Sequence, residues 1–185
     1  FLLNFNKQKG TDLVVAANAV VQPMGLYSNK IHSLDDIKAD TKIAIPNDPS
    51  NGGRALVLLE KAGIIKLKPD YKGEASIHDV AENPRGVKLV ELEAAQLPIS
   101  LQDLDVACVP MNYAVSGGLD VNKQGFYFES RDAKYALIII AARPDNVQSP
   151  EVQTFVKCYQ SPEVAAFIKE KFKGQINPAW EQPAK

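Results

Sequence analysis

The richest chemical stretch in the chain is IAIPNDPSNGGRAL, Ile43 to Leu56. It sets a strand end, a polar turn holding Asn47, Asp48 and Asn51, a glycine pair, and then Arg54 in the opening turns of an apolar helix. Backbone N–H groups and the positive end of a helix dipole suit such a turn to a carboxylate, which a guanidinium can clamp with two parallel hydrogen bonds. Gly52 and Gly53 leave out side chains where a ligand would approach. A plainer reading of the same residues pairs Arg54 with a nearby acid and uses the asparagines to cap the helix. The spacing is not that of a glycine-rich phosphate loop ending in Gly-Lys-Ser or Gly-Lys-Thr, so a nucleotide is not the expected ligand.

Other reactive residue types lack the partners that chemistry needs. His32 and His78 lie far apart in polar contexts without metal-ligand spacing, and they read as solvated or capping histidines. Ser116-Gly117-Gly118 is not a nucleophile elbow, and neither Cys108 nor Cys158 has a base close in sequence. The two cysteines form no CxxC pair; they could bridge or stay as buried free thiols, and their apolar segments favour the second. Asp35/Asp36 and Glu91/Glu93 fit helix capping and solvated strand ends. No catalytic residue, metal or cofactor is expected from these patterns.

With 21 basic and 22 acidic residues and a formal charge of -1, the chain has no net positive field to collect nucleic acid or an anionic membrane. Its apolar fraction of 45% is ample for a core. No basic start followed by an apolar run and a cleavage site is visible, nor any stretch of about 18 apolar residues.

The elements that must position Arg54 follow an alternating order. Residues 1 to 10 read as a helix end capped by Gly10, and DLVVAANAVVQ (12 to 22) as a buried strand limited by Pro23. Ser33 opens a short helix, Lys42 to Ile45 a strand, and Asp48-Pro49 a helix that Gly63 ends. Helices are expected near 76 to 82, 97 to 103 and 111 to 117, with strands at Val87 to Glu91 and Asp105 to Val109. Gly117 to Gly125 reads as a loop, and Tyr127 to Glu129 and Tyr135 to Ala141 as strands. Two Ser-Pro pairs open the final helices, Pro150 to Tyr159 and Pro162 to Phe172, whose Val152, Phe155, Val156, Tyr159, Val164, Phe167 and Ile168 are expected to face a core. Such alternation is the mark of βαβ units around a mainly parallel sheet.

The chain resembles the NlpA/MetQ family of methionine-binding lipoproteins, the receptor component of ABC importers. The matching stretches are PMGLYSNKIHSLDDIK (23 to 38), IAIPNDPSNGGRALVLLEKAGIIKLK (43 to 68), ENPRGVKLVELEAAQLPISLQDLD (82 to 105) and FVKCYQSPEVAAFIKEKFKG (155 to 174), together about half of the chain. The resemblance implies a two-lobed α/β fold like that of periplasmic binding proteins, each lobe a mainly parallel sheet flanked by helices, with the ligand enclosed between them. Residues 1–40 would belong to lobe 1, 41–125 to lobe 2, and 126–185 would return into lobe 1, whose beginning, as family chains have it, precedes Phe1. It also implies export and a lipid anchor on a cysteine outside this chain.

Residue by residue, Arg54 matches the arginine that binds the ligand carboxylate, and Asn47, Asp48 and Asn51 match its turn. Pro110, Leu137 and Gln22 stand where the family has an asparagine, a second asparagine and a tyrosine. Asn112 and Tyr113, with Met111, are the residues left to line the pocket, although Met111 and Tyr113 suit core packing equally. The expected function is capture of methionine, a related amino acid or a short peptide for an importer's membrane subunits, without catalysis. A diverged surface-interaction protein that has lost its transport ligand is the alternative, and a small enzyme on the same architecture comes third.

Overall fold

A computed structural model describes residues 1–72, 74–130 and 134–181. In chain order the first elements are α1 (Leu2–Lys9), β1 (Val14–Val21), β2 (Met24–Tyr27), β3 (Lys42–Pro46), α2 (Pro49–Lys61), β4 (Lys66–Leu67), β5 (Val80–Glu82) and β6 (Lys88–Leu92). They are followed by α3 (Leu97–Ser100), β7 (Val106–Pro110), α4 (Met111–Ser116), α5 (Val121–Gln124), β8 (Gly125–Phe128), β9 (Leu137–Ala142), α6 (Pro150–Tyr159), α7 (Pro162–Phe172) and β10 (Asn177–Pro178).

The chain divides into two compact units, Phe1–Gln22 with Arg131–Lys185, and Pro23–Ser130. These boundaries differ from the expected 1–40, 41–125 and 126–185. The cause is β2, which the sequence reading stopped short of at Pro23. After that proline the chain resumes as a fully buried strand, and β2 and β8 pair within the sheet of the second unit.

That second unit is built on a five-stranded sheet in the order β6-β3-β7-β2-β8. Strand β3 runs parallel to β6 and β7, while β2 is antiparallel to β7 and β8. Strands β6, β3, β7 and β8 therefore end at the same edge, where Met24 begins β2 opposite Pro110. Ile43, Ala44 and Ile45 are inaccessible to solvent because β3 lies between two other strands, as its continuous apolar run requires. Helix α2 buries Ala55, Leu56, Leu58 and Leu59, which join one core with Met24, Leu26, Ile43, Ile45, Val106 and Cys108.

Sequence signals explain both ends of α2. Asp48 caps it by accepting from the Asn51 N–H at 3.0 Å, and Pro49 opens its first turn. Gly63 takes a left-handed φ of +69°; its N–H bonds the Glu60 carbonyl and that of Ile64 bonds Leu59, closing the helix as a Schellman turn. Elsewhere the expected helix near 76 to 82 is a single 3-10 turn, Ile77–Asp79, held by a reciprocal Ser76–Asp79 cap and continued as β5. Within the expected loop 117 to 125, Asp120 caps the short helix α5.

In the first unit the described sheet is β10-β1-β9, and both ladders are antiparallel where the resemblance implied mainly parallel pairing. Ser149 and Ser161 cap α6 and α7 as their Ser-Pro signals require. Burial along those helices is thinner than their apolar spacing suggested. Helix α7 buries Ala165 and Ile168, whereas Phe167 on its flank is 60% exposed. No residue of α6 is buried; Phe155 is 56% exposed and leans on Tyr159, whose ring meets Trp180 edge-on at 5.7 Å. Cys158, expected to be buried, is exposed on the same helix, while Cys108 is buried in β7 and both thiols are free.

Candidate functional site

Parallel strands gather their following loops at one edge, and in open α/β sheets that edge is where ligands bind. In the second unit this edge carries Asn47 after β3, Met111 and Asn112 after β7, and Glu129 after β8. Arg54 belongs to it through α2, the helix that follows β3.

Arg54 and Glu129 form the central feature. The Arg54 Nε donates to Oε1 at 2.9 Å and to Oε2 at 3.0 Å, and Nη2 donates to Oε2 at 2.5 Å. Both side chains are almost wholly removed from water, 8% and 6% exposed. The Met24 N–H donates to the same Oε2 at 2.8 Å, tying the carboxylate to the start of β2. A buried charge with no partner is costly, so each side chain justifies the burial of the other. Cys108 lies close enough for Glu129 to matter: burial, and then the charge of Glu129, push its thiol up from the ordinary range, keeping it neutral.

The turn before Arg54 differs from the open anion cradle that its sequence suggested. The Asn51 N–H and side-chain amide both donate to the Asp48 carboxylate, so Asp48 already occupies the helix start. The glycines have a packing reason. A Cβ on Gly52 would lie 2.7 Å from the Pro46 carbonyl oxygen, and one on Gly53 would lie 3.0 Å from that of Ala75. They let the backbone of α2 approach its own strand and the 74–75 segment, leaving no space there for a ligand.

The remaining candidates separate by burial. Asn47 is exposed, and its N–H bonds the Leu92 carbonyl at 2.8 Å, fastening the ends of β3 and β6. Asn112 is exposed in the first turn of α4 and Tyr113 is half-buried. Met111 is core: it is 2% exposed, and the Tyr27 hydroxyl donates to its sulfur at 3.7 Å. Pro110 ends β7 and precedes α4 without a side-chain cap. Gln22 and Leu137 belong to the first unit, where the Gln22 N–H bonds the Ala136 carbonyl and Leu137 faces Val21 across the ladder. Among the described residues no group of His, Cys, Asp or Glu side chains could hold a metal ion, and no helix is long and apolar enough to cross a membrane.

Sequence reasoning missed Glu129. Its signal is faint, a single acid closing the aromatic strand Gly-Phe-Tyr-Phe, and no spacing rule links it to an arginine 75 positions earlier.

The family model described as NlpA lipoprotein matches residues 1–180. The D-methionine-binding lipoprotein MetQ of Escherichia coli O157:H7 is 42% identical over 176 residues, which cover 94% of this chain and 65% of that protein. Outer membrane lipoprotein 3 of Mannheimia haemolytica is 41% identical over 180 residues, covering 97% of this chain and 68% of its own length. Among solved structures, a nutrient binding protein from Burkholderia cenocepacia bound to methionine superimposes with a TM-score of 0.90 at 44% identity, over 96% of this chain and 75% of that one. The lipoprotein Tp32 from Treponema pallidum gives a TM-score of 0.89 at 34% identity, over 96% and 74%. The chain thus spans 65% of the length of the Escherichia coli relative.

Proposed function

The chain belongs to the NlpA lipoprotein family, and from that premise we propose that it is a non-catalytic solute receptor that captures methionine or a closely related amino acid for an importer of the ABC type. The observation that carries the reading is the buried Arg54 guanidinium at the carboxyl edge of the sheet. A guanidinium taken out of water must keep an anionic partner, and a carboxylate ligand can take the place that Glu129 holds. Exposed Asn47 and Asn112 supply amides at the same edge. The methionine-binding relative from Escherichia coli and the methionine-bound protein from Burkholderia cenocepacia support methionine as the first compound to test.

In this reading the protein works outside the cytoplasm, held to the membrane by a lipid anchor, and hands its ligand to the importer's membrane subunits. Titration calorimetry of the full chain against the proteinogenic amino acids, with both enantiomers of methionine, tests it. Methionine is expected to bind at micromolar or tighter dissociation constants, roughly -8 kcal/mol or better. No heat from any amino acid would reject the reading.

Pro110 favours a second one. It offers no side-chain amide at the end of β7, where the resemblance leads one to expect an asparagine. A surface-interaction protein without a transport ligand would show no co-purified small molecule by native mass spectrometry, whereas a retained amino acid would exclude it.

A further inference from the structure

We propose that Glu129 is a specificity-determining residue, which takes the ligand's ammonium group when Arg54 takes its carboxylate, so that the site selects a zwitterion over a plain carboxylic acid. This rests on the amino-acid-binding reading above.

Charges removed from water must stay paired when a ligand enters. Arg54 and Glu129 neutralise each other at 8% and 6% exposure. If a ligand carboxylate moves onto the guanidinium, the Glu129 carboxylate loses its cation without gaining water, and an unpaired buried charge opposes binding. Among the described residues no other cation is paired with Glu129. Its remaining hydrogen-bond donor is the Met24 N–H at 2.8 Å, which fixes the carboxylate in place and adds no net charge. Cys108 beside it is held neutral and cannot compensate either.

An α-amino acid solves the problem with its own atoms. Its ammonium and carboxylate share one carbon, so the ligand presents a cation and an anion at nearly the separation that an ion pair offers. The protein's internal pair is exchanged for two intermolecular ones, and the buried charge stays balanced. A carboxylic acid without the amine leaves the Glu129 carboxylate without a cation. Discrimination of this kind comes from the penalty against the wrong ligand as much as from contacts with the right one.

The test is titration calorimetry of wild-type protein and Glu129→Gln with methionine and 4-(methylthio)butanoate. Wild type is expected to prefer methionine over 4-(methylthio)butanoate by at least about a hundredfold. In Glu129→Gln, which keeps the side-chain shape and an acceptor for the Met24 N–H, the preference over 4-(methylthio)butanoate should fall below about tenfold, because methionine loses an ion pair and the acid no longer leaves a buried carboxylate unpaired. Glu129→Asp, which keeps the charge, should retain part of the preference.

Two results would overturn the proposal while leaving the receptor reading intact. One is wild-type binding of methionine and 4-(methylthio)butanoate within about tenfold of each other. The other is equal weakening of both in Glu129→Gln, which would make Glu129 a positioning residue for Arg54 alone. Wild-type protein that binds no amino acid would reject the receptor reading itself, and this inference with it.

Discussion

The Arg54 guanidinium and the Glu129 carboxylate, 75 positions apart in the chain, meet at 2.5 Å between Nη2 and Oε2 with both side chains less than a tenth exposed. One contact joins the helix after β3 to the end of β8, so it is a structural tie and the nucleus of the proposed site at once.

Removing Glu129 takes its paired carboxylate away from a buried guanidinium. Glu129→Ala should destabilise the unliganded protein by about 3–5 kcal/mol, read from urea unfolding. Replacing both partners by apolar side chains, Arg54→Met with Glu129→Leu, should recover most of that loss. A double variant as unstable as Glu129→Ala would show that the pair contributes more than its mutual neutralisation.

Gly52 should behave as a packing residue. Gly52→Ala drives a Cβ to 2.7 Å from the Pro46 carbonyl oxygen, so it should lower the stability of ligand-free protein by about 1–3 kcal/mol. If Gly52 instead kept space open for a ligand, the substitution would leave thermal unfolding unchanged and weaken binding alone.

Asp105 should contribute to stability on the acid side. Its carboxylate accepts from the Lys42 N–H at 2.9 Å and from Lys30 Nζ at 3.3 Å, and the first of these does most to hold its pKa below the ordinary value. A carboxyl with a depressed folded pKa binds fewer protons folded than unfolded. Its contribution is therefore present above the unfolded pKa of about 3.9 and is lost as pH falls through the lower folded value. Urea midpoints measured from neutral pH downward should drop less steeply below about pH 4 in Asp105→Asn than in wild type.

The thiols should differ in reactivity. Cys158 is exposed and Cys108 is buried, with its thiol pushed up by burial and by Glu129. Native protein at about pH 8 should react with a thiol reagent at Cys158 alone, and with two equivalents after unfolding. Fast modification of Cys108 in native protein would contradict the core described for β7.

Much of the second unit was legible in the sequence. Asp48-Pro49 and Gly63 bound α2, and Lys42 to Ile45 read as a strand, because caps and short apolar runs are local signals. What local signals could not convey is partnership. β2 was hidden because Pro23 reads as a stop, when it is the point at which the chain leaves one sheet for another. Phe155 and Phe167 carry helical spacing, but spacing gives only the face of a helix, and in this chain both rings remain more than half exposed. Gly52 and Gly53 suggested an open cradle because a glycine looks the same in sequence whether a ligand or a carbonyl approaches it. Arg54 was recognisable as the residue with the most chemistry, whereas Glu129 was not, since ion pairs between distant segments leave no periodic trace.

The central claim is that Arg54 holds the ligand's carboxylate. Titration calorimetry of Arg54→Ala with methionine, run well below its melting temperature beside wild type, tests it most directly. Loss of that buried charge partner should weaken binding by about 2–5 kcal/mol, roughly 30-fold to several-thousand-fold, in a variant that still unfolds cooperatively. Methionine bound by folded Arg54→Ala as tightly as by wild type would contradict the account.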